Sequence, residues 1–294
     1  MRIASWSWGG RYCVGTISSC GREATPLAFA PAEHGVLPLL QAMVRGESLP
    51  AASGPRLPVE SLTLHAPLMR PLRGLWCVGR NYRAHAAELA DSVFSGTPVK
   101  EESWPMVFTK YGECVVGPHD PVLLPSASVS TQIDYESELA VVIGQGGRDI
   151  SRARAMDHVF GYTIVNDVTA RDIQVRHQQW GVGKNLDTFC PMGPWIVTAD
   201  EMDGRDTRVR GWVNGELRQD AVTTDMIFDI PTLIETCSRG ITLYPGDVIA
   251  TGTPAGVGMG FKPQIWLREG DVVRIEIDGI GAIENRFTQH AQHL

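Results

Sequence analysis

Apolar residues in this chain fall in short runs separated by glycine and proline, a pattern of strands joined by tight turns rather than of long helices. Leu139 to Ile143 and Tyr162 to Val168 are largely apolar and read as buried strands. Trp76 to Gly79, Met106 to Thr109, Trp195 to Thr198, Val248 to Thr251 and Val272 to Ile277 are further strand-like segments. Thr207 to Val213 alternates and runs into Asn214-Gly215, a pair that accepts positive φ and so predicts a hairpin turn. Helix-like stretches are short: Tyr82 to Asp91, Arg152 to Asp157, Ile173 to Gln178 and Ile230 to Ser238. Many strands with a few helices between them predict a mixed α/β chain that is predominantly β, not a regular βαβ repeat.

The start of the chain reads differently. Ile3 to Trp8 and Tyr12 to Ile17 flank Gly9-Gly10 as the arms of a hairpin would. Glu33 to Arg45 has room for a short helix, and Pro50-Ala51-Ala52-Ser53-Gly54-Pro55 has a linker's composition. Leu62, Leu64 and Pro67 to Pro71 form a short strand and an entry into the remainder. We expect a small N-terminal domain over residues 1–70, packed beside the cleft of a larger domain over residues 71–294.

Composition narrows the function. Hydrophobic residues make up 43% of the 294 positions and charged residues 20%, which is enough for a sizeable core. The 31 Gly and 19 Pro argue against a helical bundle. Formal net charge is -7 with no basic block, so no nucleic-acid partner is expected, although a cleft with local positive charge can still receive a small anion. No apolar run reaches membrane length and no signal peptide is visible, so no membrane partner is expected. The six cysteines form no Cys-x-x-Cys pair; we read them as reduced and the protein as cytoplasmic, with Cys190 a small core filler.

Candidate chemistry begins at Glu136 and Glu138, in Asp134-Tyr135-Glu136-Ser137-Glu138-Leu139. A strand repeats every two residues, so both glutamates point to one face at the mouth of a buried run. Paired carboxylates entering a core need a positive partner, and a hard divalent cation such as Mg²⁺ or Mn²⁺ supplies it. The alternative is a pair of solvated acids at an exposed strand end. Asp167, closing the run Gly161 to Val165, is a third carboxylate of the same kind.

His85 and Glu88 are three apart after the strand end at Gly79 and share a helix face, where a carboxylate can orient an imidazole and raise its basicity. Read alone, they are equally an ordinary surface pair. Arg171 and Gln174 follow Asp167 closely, and Lys184 sits in a glycine-bounded polar stretch suited to neutralising charge on a substrate. Thr253, in Ala250-Thr251-Gly252-Thr253-Pro254, offers a hydroxyl beside free backbone N–H groups. Gly256-Val257-Gly258-Met259-Gly260 lacks the spacing and following helix of a dinucleotide fingerprint.

In this order the segments resemble the fumarylacetoacetate hydrolase superfamily over residues 73–286. The resemblance rests on Val78-Gly79-Arg80-Asn81-Tyr82-Arg83-Ala84-His85, on Asp134 to Ala140, on Gly161 to Asp172, on Phe189 to Trp195 and on Leu243 to Pro254. It implies a β-sandwich roll like that family's C-terminal domain, a homodimer, and Mg²⁺ or Mn²⁺ on Glu136, Glu138 and Asp167. It also implies a His85–Glu88 dyad, catalytic Lys184 and Gln174, and substrate contacts from Thr253 and Arg171. Two departures stand out. Lys110-Tyr111 replaces a common Lys-Pro, and Arg80 stands where leucine is common. Arg80 and Lys262 are candidates to meet a second carboxylate on the substrate.

The resemblance implies a small anionic keto acid as substrate. We expect hydrolysis of a C–C bond in a 2,4-diketo acid, an acylpyruvate such as fumarylpyruvate or maleylpyruvate, giving pyruvate and a carboxylic acid. The alternative is decarboxylation of oxaloacetate, or isomerisation or decarboxylation of a 2-hydroxydienoate, through the same metal–enolate chemistry.

Overall fold

The computed structural model describes residues 1–29, 35–89, 103–177 and 179–289. Among these residues one sheet has twelve strands and a second has five, with a two-stranded ribbon of Ile133–Asp134 and Thr169–Ala170. The mixed, predominantly β architecture is the one expected.

The strand Ser137–Ile143 lies inside the large sheet, and all seven of its residues are buried. Alternate side chains enter different cores. Leu139, Val141 and Ile143 pack with Val209, Ile275 and Ile283 of the five-stranded sheet. Ala140 and Val142 pack on the opposite face with Leu39 and Leu40 of the helix Leu37–Val44. Two covered faces explain why the sequence shows a continuous apolar run there instead of alternation.

Strand direction gathers the site. Ser137–Ile143 is antiparallel to Val159–Asn166 on one side and to Val248–Ala250 on the other. Val248–Ala250 is parallel to Leu75–Gly79. Three strands therefore end at the sheet edge where Ser137–Ile143 begins. The segments that follow them carry Asp167, Thr253 and the helix Arg83–Glu88.

The N-terminal hairpin forms as its glycines suggest, from Arg2–Trp8 and Arg11–Ile17. Its first strand pairs with Cys190–Thr198, so these strands continue the large sheet. Among the described residues, those walling the pocket begin at Val78. Asn214 and Gly215 take φ of 52° and 82° in a hairpin between Arg208–Val213 and Glu216–Val222. The expected helix to Asp91 is seen as Arg83–Glu88, and its last two positions lie outside the described residues.

Candidate active site

Pairing of Ser137 with Asn166 sets the carboxylates together. Asp167 N donates to Glu136 O at 3.0 Å, so the residue after one strand lies against the residue before the other. Glu136, Glu138 and Asp167 are all buried, and one ligand atom from each lies within 4.8 Å of the other two.

Cations surround this cluster unevenly. Lys184 Nζ stands 2.6 Å from Glu136 Oε2 and 2.7 Å from Asp167 Oδ2. Arg171 Nη2 is 2.8 Å from Glu136 Oε1, and Lys110 Nζ is 2.8 Å from Asp167 Oδ1. Burial alone would raise the pKa of Glu136, but Lys184 and Arg171 outweigh it and hold the group well below the usual carboxylate range. Glu138 goes the other way. Burial first, then the charges of Asp167 and Glu136, push it well above that range, against the pull of Lys184 and of Gly252 N–H.

Gly252 N donates to Glu138 Oε2 at 3.0 Å, and among the described residues no lysine or arginine is ion-paired with Glu138. A buried carboxylate held only by a backbone N–H, beside two more carboxylate oxygens, is a donor set suited to a hard divalent cation. The residues present fit such an ion.

The dyad forms as expected. His85 Nδ1 donates to Glu88 Oε2 at 3.1 Å; a carboxylate can only accept, so Nε2 is left as the basic nitrogen. Glu88 Oε1 accepts from Gly256 N at 3.0 Å. The glycine-rich loop presses closely here. A methyl group at Gly260 would lie 2.1 Å from Glu88 Cδ.

One pocket is walled by His85, Glu136, Glu138, Gln174, Lys184 and Thr253, together with Arg80 and Arg171. Asp167 lies behind the carboxylates and Glu88 behind the histidine. Lys262 is exposed and is not among the residues of this wall. Its loop, turning through Lys262-Pro263, faces solvent. Arg171 is at the wall, but its nitrogens are directed to protein: Nε to Asp134 Oδ2 at 2.9 Å, Nη1 to Gln174 Oε1 at 3.2 Å, and Nη2 to Glu136. Because Gln174 Oε1 is taken by that cation, its NH₂ is the donor left for the pocket. Thr253 Oγ1 accepts from Gln219 Nε2 at 2.7 Å, which frees the hydroxyl proton to donate.

Arg80 is buried with a φ of 56°, a left-handed conformation uncommon for a residue with a Cβ, and burial lowers its pKa. Sequence reasoning missed Lys110, Asp134 and Gln219. Asp134 had a signal: it precedes Glu136 by the same two-residue step that links Glu136 to Glu138. Lys110, a lysine closing the strand Met106–Lys110, repeats the logic that singled out Asp167. Gln219 sits mid-strand without such a mark.

Two interlocked sheets with a buried carboxylate triad at the strand ends define a metal-binding enzyme. The chain belongs to the fumarylacetoacetate hydrolase family: the model described as "Fumarylacetoacetate (FAA) hydrolase C-terminal" matches residues 74–288. Oxaloacetate tautomerase YisK of Bacillus subtilis is 50% identical over 230 residues, spanning 78% of this chain and 74% of that protein. The human mitochondrial oxaloacetate tautomerase FAHD2A is 44% identical over 239 residues, spanning 80% and 73%. Among solved structures, a fumarylacetoacetate hydrolase from Exiguobacterium antarcticum is 41% identical with a TM-score of 0.83, covering 99% of this chain and 100% of that one. The maleylpyruvate hydrolase of Sphingobium sp. SYK-6, solved with manganese(II) and pyruvate, is 32% identical with a TM-score of 0.78 over the same shares.

These likenesses overturn two expectations. Cleavage of a C–C bond by hydrolysis is corrected, because relatives at 50% and 44% identity are tautomerases. The motifs identify the family, whose similar members include both tautomerases and hydrolases. The cytoplasmic assignment is corrected as well, since several relatives are mitochondrial proteins. Free thiols report a reducing environment, which does not identify a compartment. No helix among the described residues is long and apolar enough to cross a membrane.

Proposed function

We propose that this protein interconverts the enol and keto forms of oxaloacetate. The observation that carries the reading is the His85–Glu88 dyad opening onto the pocket walled by Glu136 and Glu138, which joins a proton carrier to an enolate site. The tautomerases among its relatives support oxaloacetate as the substrate.

Mg²⁺ or Mn²⁺ held by Glu136, Glu138 and Asp167 would supply Lewis-acid stabilisation of negative charge on the C2 oxygen. His85 Nε2 carries the proton to and from C3, with Glu88 fixing the ring. Lys184 and the Gln174 NH₂ donate toward the oxygen on which charge develops. Thr253 donates to the C1 carboxylate, and Arg80 pairs with the C4 carboxylate. In the ketonising direction O2 loses its proton, the C2–C3 double bond becomes C2=O, and C3 gains a proton. No carbon–carbon bond breaks and no water is consumed. A homodimer is part of the proposal, checked by sedimentation.

The test follows the ultraviolet absorbance of enol-oxaloacetate with Mn²⁺ and enzyme, and pyruvate in parallel. Accelerated loss of enol without pyruvate is expected, and His85→Ala should slow it by about two orders of magnitude. An unaccelerated decay would sink the reading.

A further inference from the structure

Asp134 is a carboxylate of this region that belongs neither to the pocket wall nor to the triad. It is fully buried on the two-stranded ribbon, opposite Thr169. Each of its oxygens accepts twice. Oδ1 takes Tyr135 N at 2.9 Å and Gly258 N at 2.7 Å. Oδ2 takes Arg171 Nε at 2.9 Å and Met259 N at 3.0 Å.

The four donors lead to two different places. Arg171 continues to Glu136 at 2.8 Å and to Gln174 at 3.2 Å. Gly258 and Met259 belong to the loop whose Gly256 N–H holds Glu88 at 3.0 Å. The neighbouring Tyr135 grips the same loop, its hydroxyl donating to Gly256 O at 2.6 Å. The approach leaves no slack: a methyl group on Gly258 would stand 2.8 Å from Asp134 Oδ1 and 2.1 Å from Ile265 O.

We propose that Asp134 is a positioning residue that holds the triad and the dyad in register, one through Arg171 and the other through the glycine-rich loop. It does not touch substrate. Only a carboxylate meets the need, because all four partners are donors. An asparagine has one acceptor oxygen, and its NH₂ would confront donors at the other position. A buried charge with four hydrogen bonds is also fixed more firmly than a neutral amide.

The activity arm of the test rests on the tautomerase reading; the metal arm does not. Mn²⁺ affinity is measured by titration of the full chain, and kcat and KM for oxaloacetate separately. Asp134→Asn should weaken Mn²⁺ binding about ten- to a hundredfold, as loss of a group orienting a metal ligand does, and should lower kcat. Tyr135→Phe loosens only the loop, so kcat should fall about tenfold while Mn²⁺ affinity holds. If Asp134→Asn does not fold, Arg171→Lys replaces it in the metal measurement, because an ammonium cannot span Asp134 and Glu136 as the guanidinium does. A folded Asp134→Asn protein, or Arg171→Lys in its place, with wild-type Mn²⁺ affinity overturns the proposal. So does Tyr135→Phe with wild-type kcat in an active enzyme. A wild-type protein inactive on oxaloacetate, with the Mn²⁺ loss intact, refutes the tautomerase reading alone.

Discussion

Lys110 and Asp167 meet as an ion pair, Nζ to Oδ1 at 2.8 Å, with neither side chain exposed to solvent. Lys110 also donates to Val168 O at 3.1 Å and to the carbonyl of Lys184. Burial, the largest single influence, lowers its pKa, but Asp167 together with Cys114 and Cys190 outweighs burial and raises it. One ammonium thus neutralises one carboxylate and ties down the backbone that carries the second lysine.

Breaking that pair should cost more than a surface ion pair does. Lys110→Met leaves Asp167 buried beside one cation fewer, a loss of about 3–5 kcal/mol in unfolding free energy. Denaturant unfolding at neutral pH measures it. The raised pKa gives the sign: the stabilisation is complete below lysine's ordinary value and is lost only as pH rises through the folded value. The difference between the proteins should therefore be flat from neutral pH into mild alkali. A penalty within the range of exposed pairs would contradict this account.

Glu138 carries the opposite sign. Its folded pKa is raised by burial and by Asp167 and Glu136, so it favours the fold at pH below the unfolded carboxylate value and loses that contribution as pH rises toward its folded one. In chelator, Glu138→Gln should be more stable than wild type at neutral pH and lose less stability as pH rises from the carboxylate range. With Mn²⁺ the order should reverse, because the variant has given up a donor oxygen. Unfolding midpoints in the two buffers show whether the curves cross.

In the proposed reaction Arg80 distinguishes the two ends of the substrate. Arg80→Met keeps length and backbone conformation but removes the charge. KM for oxaloacetate should rise by about one order of magnitude or more, since a partly desolvated charge pair is lost. Inhibition by oxalate, which has no C4 arm, should be unchanged. Equal weakening of both ligands would place Arg80 at the C1 end instead.

Gly260 tests the packing behind the dyad. A methyl group there would lie 2.1 Å from Glu88 Cδ, so Gly260→Ala must displace the carboxylate that orients His85. A kcat lower by ten- to a hundredfold is expected, with Mn²⁺ affinity retained. Unaltered kcat would mean that Glu88 has room to move without consequence.

Local periodicity made part of this site legible. Glu136 and Glu138 share a face because strands repeat every two residues, and His85 and Glu88 meet because helices bring residues three apart together. The continuous run from Leu139 to Ile143 likewise announced a buried strand, and the structure covers both of its faces. Partnerships between distant segments were not legible. Nothing in the order of residues says that Lys110 closes on Asp167, or that Arg171 directs its nitrogens to Asp134, Glu136 and Gln174. The exposure of Lys262 was hidden for the same reason: its charge was visible, but the direction of its loop was not. The reaction was the hardest part. The motifs are common to relatives named for different reactions, so they do not say which bond changes.

The strand ends that converge on the start of Ser137–Ile143 divide labour between independent hinges of the chain. The residue after Leu75–Gly79 lies outside the ladder that aligns Glu138 with Val165. In the proposed reaction the group that meets the far end of a keto acid is thereby mounted on a different support from the carboxylates, but on the same segment as His85. A lineage with this scaffold that changed its diet at position 80 would leave the carboxylate ladder alone while working five residues from its proton carrier.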